Sequence, residues 1–122
     1  MAKELDIKPS ARTVYTYDVP ASLQRTSKGV IVKTIGVAEL QPLDEIEATK
    51  RARGDAARLA FELALQSLAT VNGTPVSLGD GSAETAWTSL GPKLRNLVMS
   101  AYAENNQAGQ NDLVGFLASR KG

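Results

Sequence analysis

Pro42 sits just inside the main change of hydrophobic period in this chain. Before it, apolar residues alternate; after it, they recur every three or four positions. Arg12-Thr13-Val14-Tyr15-Thr16-Tyr17-Asp18-Val19 is rich in β-branched and aromatic residues. It sets Tyr15, Tyr17 and Val19 on one face and Val14, Thr16 and Asp18 on the other, the pattern of a strand ended by Pro20. Gly29 opens Val30-Ile31-Val32-Lys33-Thr34-Ile35-Gly36-Val37, the strongest strand signal in the sequence. The polar stretch Ala21–Lys28 between them is longer than a tight turn, which predicts a β-hairpin over 13–37 with a mobile tip. Residues 1–12, with the breaker Pro9-Ser10, read as a flexible or docking arm.

Beyond Pro42 the signals are helical. Proline is tolerated at a helix start, and Asp44, Glu45 and Glu47 suit the positive end of a helix dipole. Ala57, Phe61, Ala64, Leu68 and Val71 follow at helical spacing, widened by Ala60 and Leu65, opposite Arg51, Arg58, Glu62 and Gln66. This predicts helix over about 43–70, either as one long helix with a weak point or as two split at Gly54-Asp55, where Asp55 can cap the second. Asn72-Gly73, within Val71-Asn72-Gly73-Thr74-Pro75-Val76, suits a type I′ turn in a short second hairpin. Gly79-Asp80-Gly81-Ser82 is loop, and Ser82 or Asp80 can cap a short helix through Ala86-Trp87. Gly91-Pro92 restarts the chain, and Leu94, Leu97, Val98, Ala101 and Tyr102 form a helical stripe within 83–104. Residues 105–122 read as a polar linker, Asn105 to Gln110, then a short amphipathic helix capped by Asn111 with Leu113, Phe116 and Leu117 on one side. The expected fold is α+β: an N-terminal β-hairpin, then a mainly helical domain with a short second hairpin, one domain over 13–104.

Composition narrows the chemistry. At 122 residues the chain can bury one core, built mostly from Leu, Val and Ala because it has only one Trp, three Tyr and two Phe. It has neither cysteine nor histidine. Thiolate nucleophiles, disulfides, Cys-based metal sites and Ser–His catalysis are therefore excluded, and the usual general base is missing. Fourteen Lys and Arg against thirteen Asp and Glu leave +1, no global field for nucleic acid or membrane. No apolar run is long enough to span a bilayer, and Met1-Ala2-Lys3-Glu4-Leu5-Asp6 shows no signal segment, so a soluble cytoplasmic chain is expected.

The remaining constellations are weighed by what each residue can do. Lys50, Arg51, Arg53 and Arg58 form the one basic cluster, but acids interleave at ion-pair spacing, so a solvated helix face is expected over a nucleic-acid patch. Asp44, Glu45 and Glu47 point around a helix axis and do not converge on a cation. The Gly79–Ser82 stretch lacks the Walker lysine. No enzyme, cofactor or metal is expected. Trp87 reads as an anchor for Leu90 and Leu94 or as an interface residue. The Leu113, Phe116, Leu117 stripe can dock on its own domain or in a partner's groove, and Val30-Ile31-Val32 leaves a strand edge for β-addition unless something covers it.

The order of parts is itself informative. A hairpin is followed by Lys-Arg-x-Arg-Gly-Asp-x-x-Arg-Leu-Ala (Lys50–Ala60) and an Ala/Leu helix. Next come Val71-Asn72-Gly73-Thr74-Pro75-Val76-Ser77, a tryptophan segment, Gly91-Pro92-Lys93-Leu94-Arg95-Asn96-Leu97-Val98 and Ala101-Tyr102-Ala103. From Gly29 to Tyr102 this resembles the small tail assembly chaperones of long-tailed bacteriophages and related prophage proteins. The resemblance implies a non-catalytic helper that binds tape-measure and tail-tube proteins in the infected bacterial cytoplasm. Its contact surfaces would be Leu113, Phe116 and Leu117, with a groove beside Trp87, Leu94 and Tyr102. The alternative is a structural virion subunit (capsid, neck or tail) that self-associates through the Met1–Ser10 arm and the Val30–Val37 edge.

Overall fold

The two alternating runs pair in the computed structural model, which describes residues 12–26 and 28–120; the Met1–Ser10 arm lies outside them. β1 (Val14–Asp18) runs antiparallel to β2 (Thr34–Ala38), with Thr16 opposite Gly36. On its other side β2 pairs with β3 (Leu68–Val71), which turns back into β4 (Thr74–Pro75). One antiparallel sheet results, in the order β1-β2-β3-β4. The expected edge over Val30–Val37 is thereby corrected: β2 is a central strand, because the second hairpin pairs with it. Val30 and Ile31 stay exposed ahead of β2, with Ile31 in a single bridge to Arg25, and Val32 is buried.

The hairpin tip, expected to be mobile, carries its own bonding. Val19 N–H donates to the Lys33 carbonyl (2.8 Å), Val32 N–H to that of Gln24 (2.7 Å), and Thr26 N–H to that of Val30 (2.8 Å). A 3₁₀ turn at Ala21–Leu23 bends the chain so that Val19 and Val32 both enter the core. The second hairpin follows the expected turn, with Asn72 and Gly73 at φ of 54° and 78°, the left-handed pair that type I′ requires. Asn72 also reaches back to the first hairpin. Its Oδ1 accepts from Lys33 N–H (2.6 Å) and its Nδ2 donates to the Ile31 carbonyl (2.9 Å).

Of the two helical alternatives, the split one forms. α1 (Pro42–Ala52) ends where Arg53 and Gly54 take φ of 51° and 82°, and Asp55 then accepts from Ala57 and Arg58 N–H to start α2 (Ala56–Ser67). Helix stops three residues short of the expected limit at 70. From Leu68 the chain is extended, because pairing with β2 satisfies its backbone while Leu68 and Ala69 are buried. The apolar face of α2 is also corrected. Ala57, Ala60 and Phe61 are exposed, whereas Glu62 is buried with Ala64, Leu65 and Gln66.

α3 (Ser82–Asn106) covers the sheet and is broken at Gly91 (φ 78°, ψ 167°), just before Pro92, where a restart was expected. Leu90, Leu94, Val98 and Ala101 pack against Val19, Val32, Ile35, Val37 and Leu68 to make the core. Each of the Val, Leu and Ile side chains contributes about 1.5–3 kcal/mol when fully buried. Asn105 and Asn106, expected in a linker, are helical and fasten the end of α3 to the sheet. Asn106 Oδ1 accepts from Leu40 N–H (2.6 Å), its Nδ2 donates to the Ala38 carbonyl (3.2 Å), and Tyr17 hydroxyl donates to Asn105 Oδ1 (3.1 Å). α4 (Gln110–Ala118) follows after three residues. Its N-cap is Gly109 rather than Asn111, and Asp112 Oδ2 accepts from the Gly109 N–H (3.2 Å).

Gly36 of β2 lies between side chains of both neighbouring strands, Val14 of β1 and Thr70 of β3. A Cβ there would overlap Thr70 Oγ1 and lie 3.0 Å from Val14 Cγ1. Gly36→Ala should therefore cost about 1–3 kcal/mol in urea unfolding, and adding Thr70→Ala should recover part of it. Additive losses in the double variant would show that the overlap with Thr70 is not the cause.

Candidate protein-binding surfaces

Among the described residues no three acidic side chains gather as a metal site would need. Asp44 is spent on the start of α1: its Oδ2 accepts from Gln41 N–H (2.8 Å) and lies 3.6 Å from Arg12. The basic cluster is partly neutralised as expected. Arg51 Nε donates to Glu62 Oε1 (2.8 Å) and its Nη2 lies 3.5 Å from Glu84, joining α1, α2 and α3; Arg58 adds a pair to Glu62 at 3.8 Å. The hydrogen bond that Arg51 donates to Glu62 holds the guanidinium more firmly in its charged form. These pairs explain how Glu62 tolerates burial and why Phe61 is displaced outward.

The residues expected to meet a partner fall into two groups. Leu94 is 2% exposed and belongs to the core, so it supports a surface and does not form one. Trp87 is half-buried, its ring edge-on to Phe61 at 6.4 Å between centroids, and Arg95 Nη1 donates to its carbonyl (3.3 Å). Tyr102 is half-buried in a shallow groove between α2 and α3, beside Leu59, Leu63 and Met99. Trp87 and Tyr102 thus contribute edges, not an open face.

α4 is different. Leu113, Val114, Phe116 and Leu117 are 45%, 56%, 75% and 61% exposed, and every described side chain of the helix is on the surface. A nine-residue helix gains little from propensity alone, so this one displays its apolar stripe without burying it. A cleft that sequence reasoning missed lies between the hairpin and α3. It encloses about 280 Å³, walled by Tyr17, Val19, Ile35, Val37, Leu97 and Ala101, with Asp18 and Glu104 as its charged lining. The signal was Leu97, placed in the α3 stripe by period yet 41% exposed in the fold. Leu43 and Ile46 on α1, 74% and 51% exposed, make a second apolar pair that no motif marked.

Comparison with protein-family models, curated protein sequences and solved structures found no match. No described helix is long and apolar enough to cross a membrane.

Three further groups, Tyr15 on β1, Tyr102 on α3 and Asp80 in the turn before α3, are shifted from their ordinary values. Tyr15 hydroxyl donates to Glu39 Oε1 (2.7 Å), which raises it above 10.0; Tyr102 is raised first by burial and then by Glu45. Asp80 accepts from Ser82 Oγ (2.6 Å) and is lowered below 3.8. The unfolded tyrosines ionise near 10.0, so their contribution is complete below that pH and is lost as pH rises through the folded values. Asp80 acts in the opposite sense: its contribution is present above 3.8 and is lost as pH falls through its lowered value. Urea midpoints should hold level between these limits and fall on both sides. Tyrosinate absorbance should show Tyr15 and Tyr102 ionising later in the folded chain than in urea.

Proposed function

We propose that this chain is a non-catalytic assembly factor of a long-tailed bacteriophage, a tail assembly chaperone that holds tape-measure and tail-tube proteins until the tube polymerises. The observation that carries the reading is α4, an apolar helix set off the domain on a three-residue connection with Phe116 75% exposed. A helper of this kind needs an apolar helix or groove to cover the amphipathic helices of its client and no reactive group. The lack of cysteine and histidine and the ion-paired basic cluster agree with that requirement. The resemblance from Gly29 to Tyr102 supplies the phage context.

The test is capture of the tagged chain from phage-producing cells, with mass spectrometry of the eluate and of purified particles side by side. Tape-measure protein in the eluate and absence of the chain from particles are expected. A fixed copy number in particles would overturn the chaperone reading and make the chain a virion subunit. Leu113→Asp with Phe116→Asp should weaken client capture about 30-fold or more, the loss typical of an interface hot spot. Thermal unfolding of that variant should match the parent, since neither side chain is buried.

A further inference from the structure

We propose that α4 of one copy docks in the hairpin–α3 cleft of a second copy, so that the chain self-associates through a helix-in-cleft joint. Both halves of the joint are present in one molecule. The cleft is floored by the buried Val19, Ile35, Val37 and Ala101, its accessible apolar wall is Tyr17 and Leu97, and its charged lining, Asp18 and Glu104, is entirely acidic. α4 presents Leu113, Phe116 and Leu117 and is followed by Arg120, a cation just beyond the stripe. Apolar stripe meets apolar wall, and the basic end of the helix meets an acidic rim.

Size agrees as well. About 280 Å³ lies just below the range of drug-sized ligand pockets, which suits a few helix side chains better than a cofactor. The chain does not fill the cleft with its own helix: Phe116 remains 75% exposed and Leu97 41%. The end of α3 is also pinned to β1 and the β2 exit by Asn105 and Asn106, so α4 leaves from a fixed point next to the cleft wall. A second copy supplies the missing occupant without moving either pinned element. A client that takes α4 would compete with this joint, which couples self-association to client binding.

Sedimentation velocity of the purified full chain over a concentration series reads the joint directly and needs no phage protein, so its outcome is separate from that of the client-capture test. The parent should self-associate with rising concentration. Phe116→Asp, which damages the helix, and Leu97→Asp, which damages the cleft, should each weaken association about tenfold or more. An equimolar mixture of the two should form a heterodimer and nothing larger, because one intact helix and one intact cleft remain between them. Ser100→Arg, on the exposed rim of the cleft, is the second cleft variant should Leu97→Asp fail to fold. A parent that stays monomeric throughout overturns the proposal, including the case in which hydrogen exchange shows α4 protected by its own domain. So does a parent that associates while the mixed variants stay monomeric, which would place the contact elsewhere, such as the β1 edge.

Discussion

Ile35 and Val37 of β2 share one buried core with Leu94, Val98 and Ala101 of α3, and that contact sets the sheet against the helix covering it. β2 is paired on both sides, so its backbone is satisfied by β1 and β3 while its apolar face is satisfied by the helix. Gly36 lets the three strands close over this point, and Asn106 ties the far end of α3 to the β2 exit at Ala38 and Leu40. α1 and α2 are then held to α3 partly by charge, through Arg51, Glu62 and Glu84.

This construction leaves the molecule with apolar surface that its own core does not consume. The sheet and α3 do not meet along their whole length, and the gap between Val19, Leu97 and Ala101 is the cleft. α4 lies past the point where α3 is fastened, with too few residues to build a core of its own. Contiguous apolar patches of this kind on a small protein mark contact surfaces. The functional reading rests on those surfaces.

Much of the fold was legible because its signals are local. Asn72-Gly73 specifies its turn by φ alone, Asp55 caps α2 through bonds two and three residues away, and Gly91-Pro92 breaks α3 where it stands. The α4 stripe was legible for the same reason: Leu113, Phe116 and Leu117 share one face at helical spacing. The failures have one cause. Asn105 and Asn106 looked like linker because a polar pair carries no mark of partners 66–88 residues away. Glu62 looked exposed and Phe61 buried because a carboxylate on a helix reveals nothing of the arginine that will neutralise it. Leu97 looked like core because period reports a helix face and says nothing of how closely the facing sheet approaches it.

Apart from Leu68–Thr70 and Asn105-Asn106, amino-acid order alone determined where this chain extends, turns and coils, and it set the absence of thiol and imidazole groups. Those properties depend on backbone preference and residue type within a few positions. Tertiary structure alone decided that β2 is central, that Glu62 is inside and Phe61 outside, and that a cleft stays open beside an uncovered helix. Each of those depends on which distant surfaces meet, and burial and ion pairing are settled only when they do.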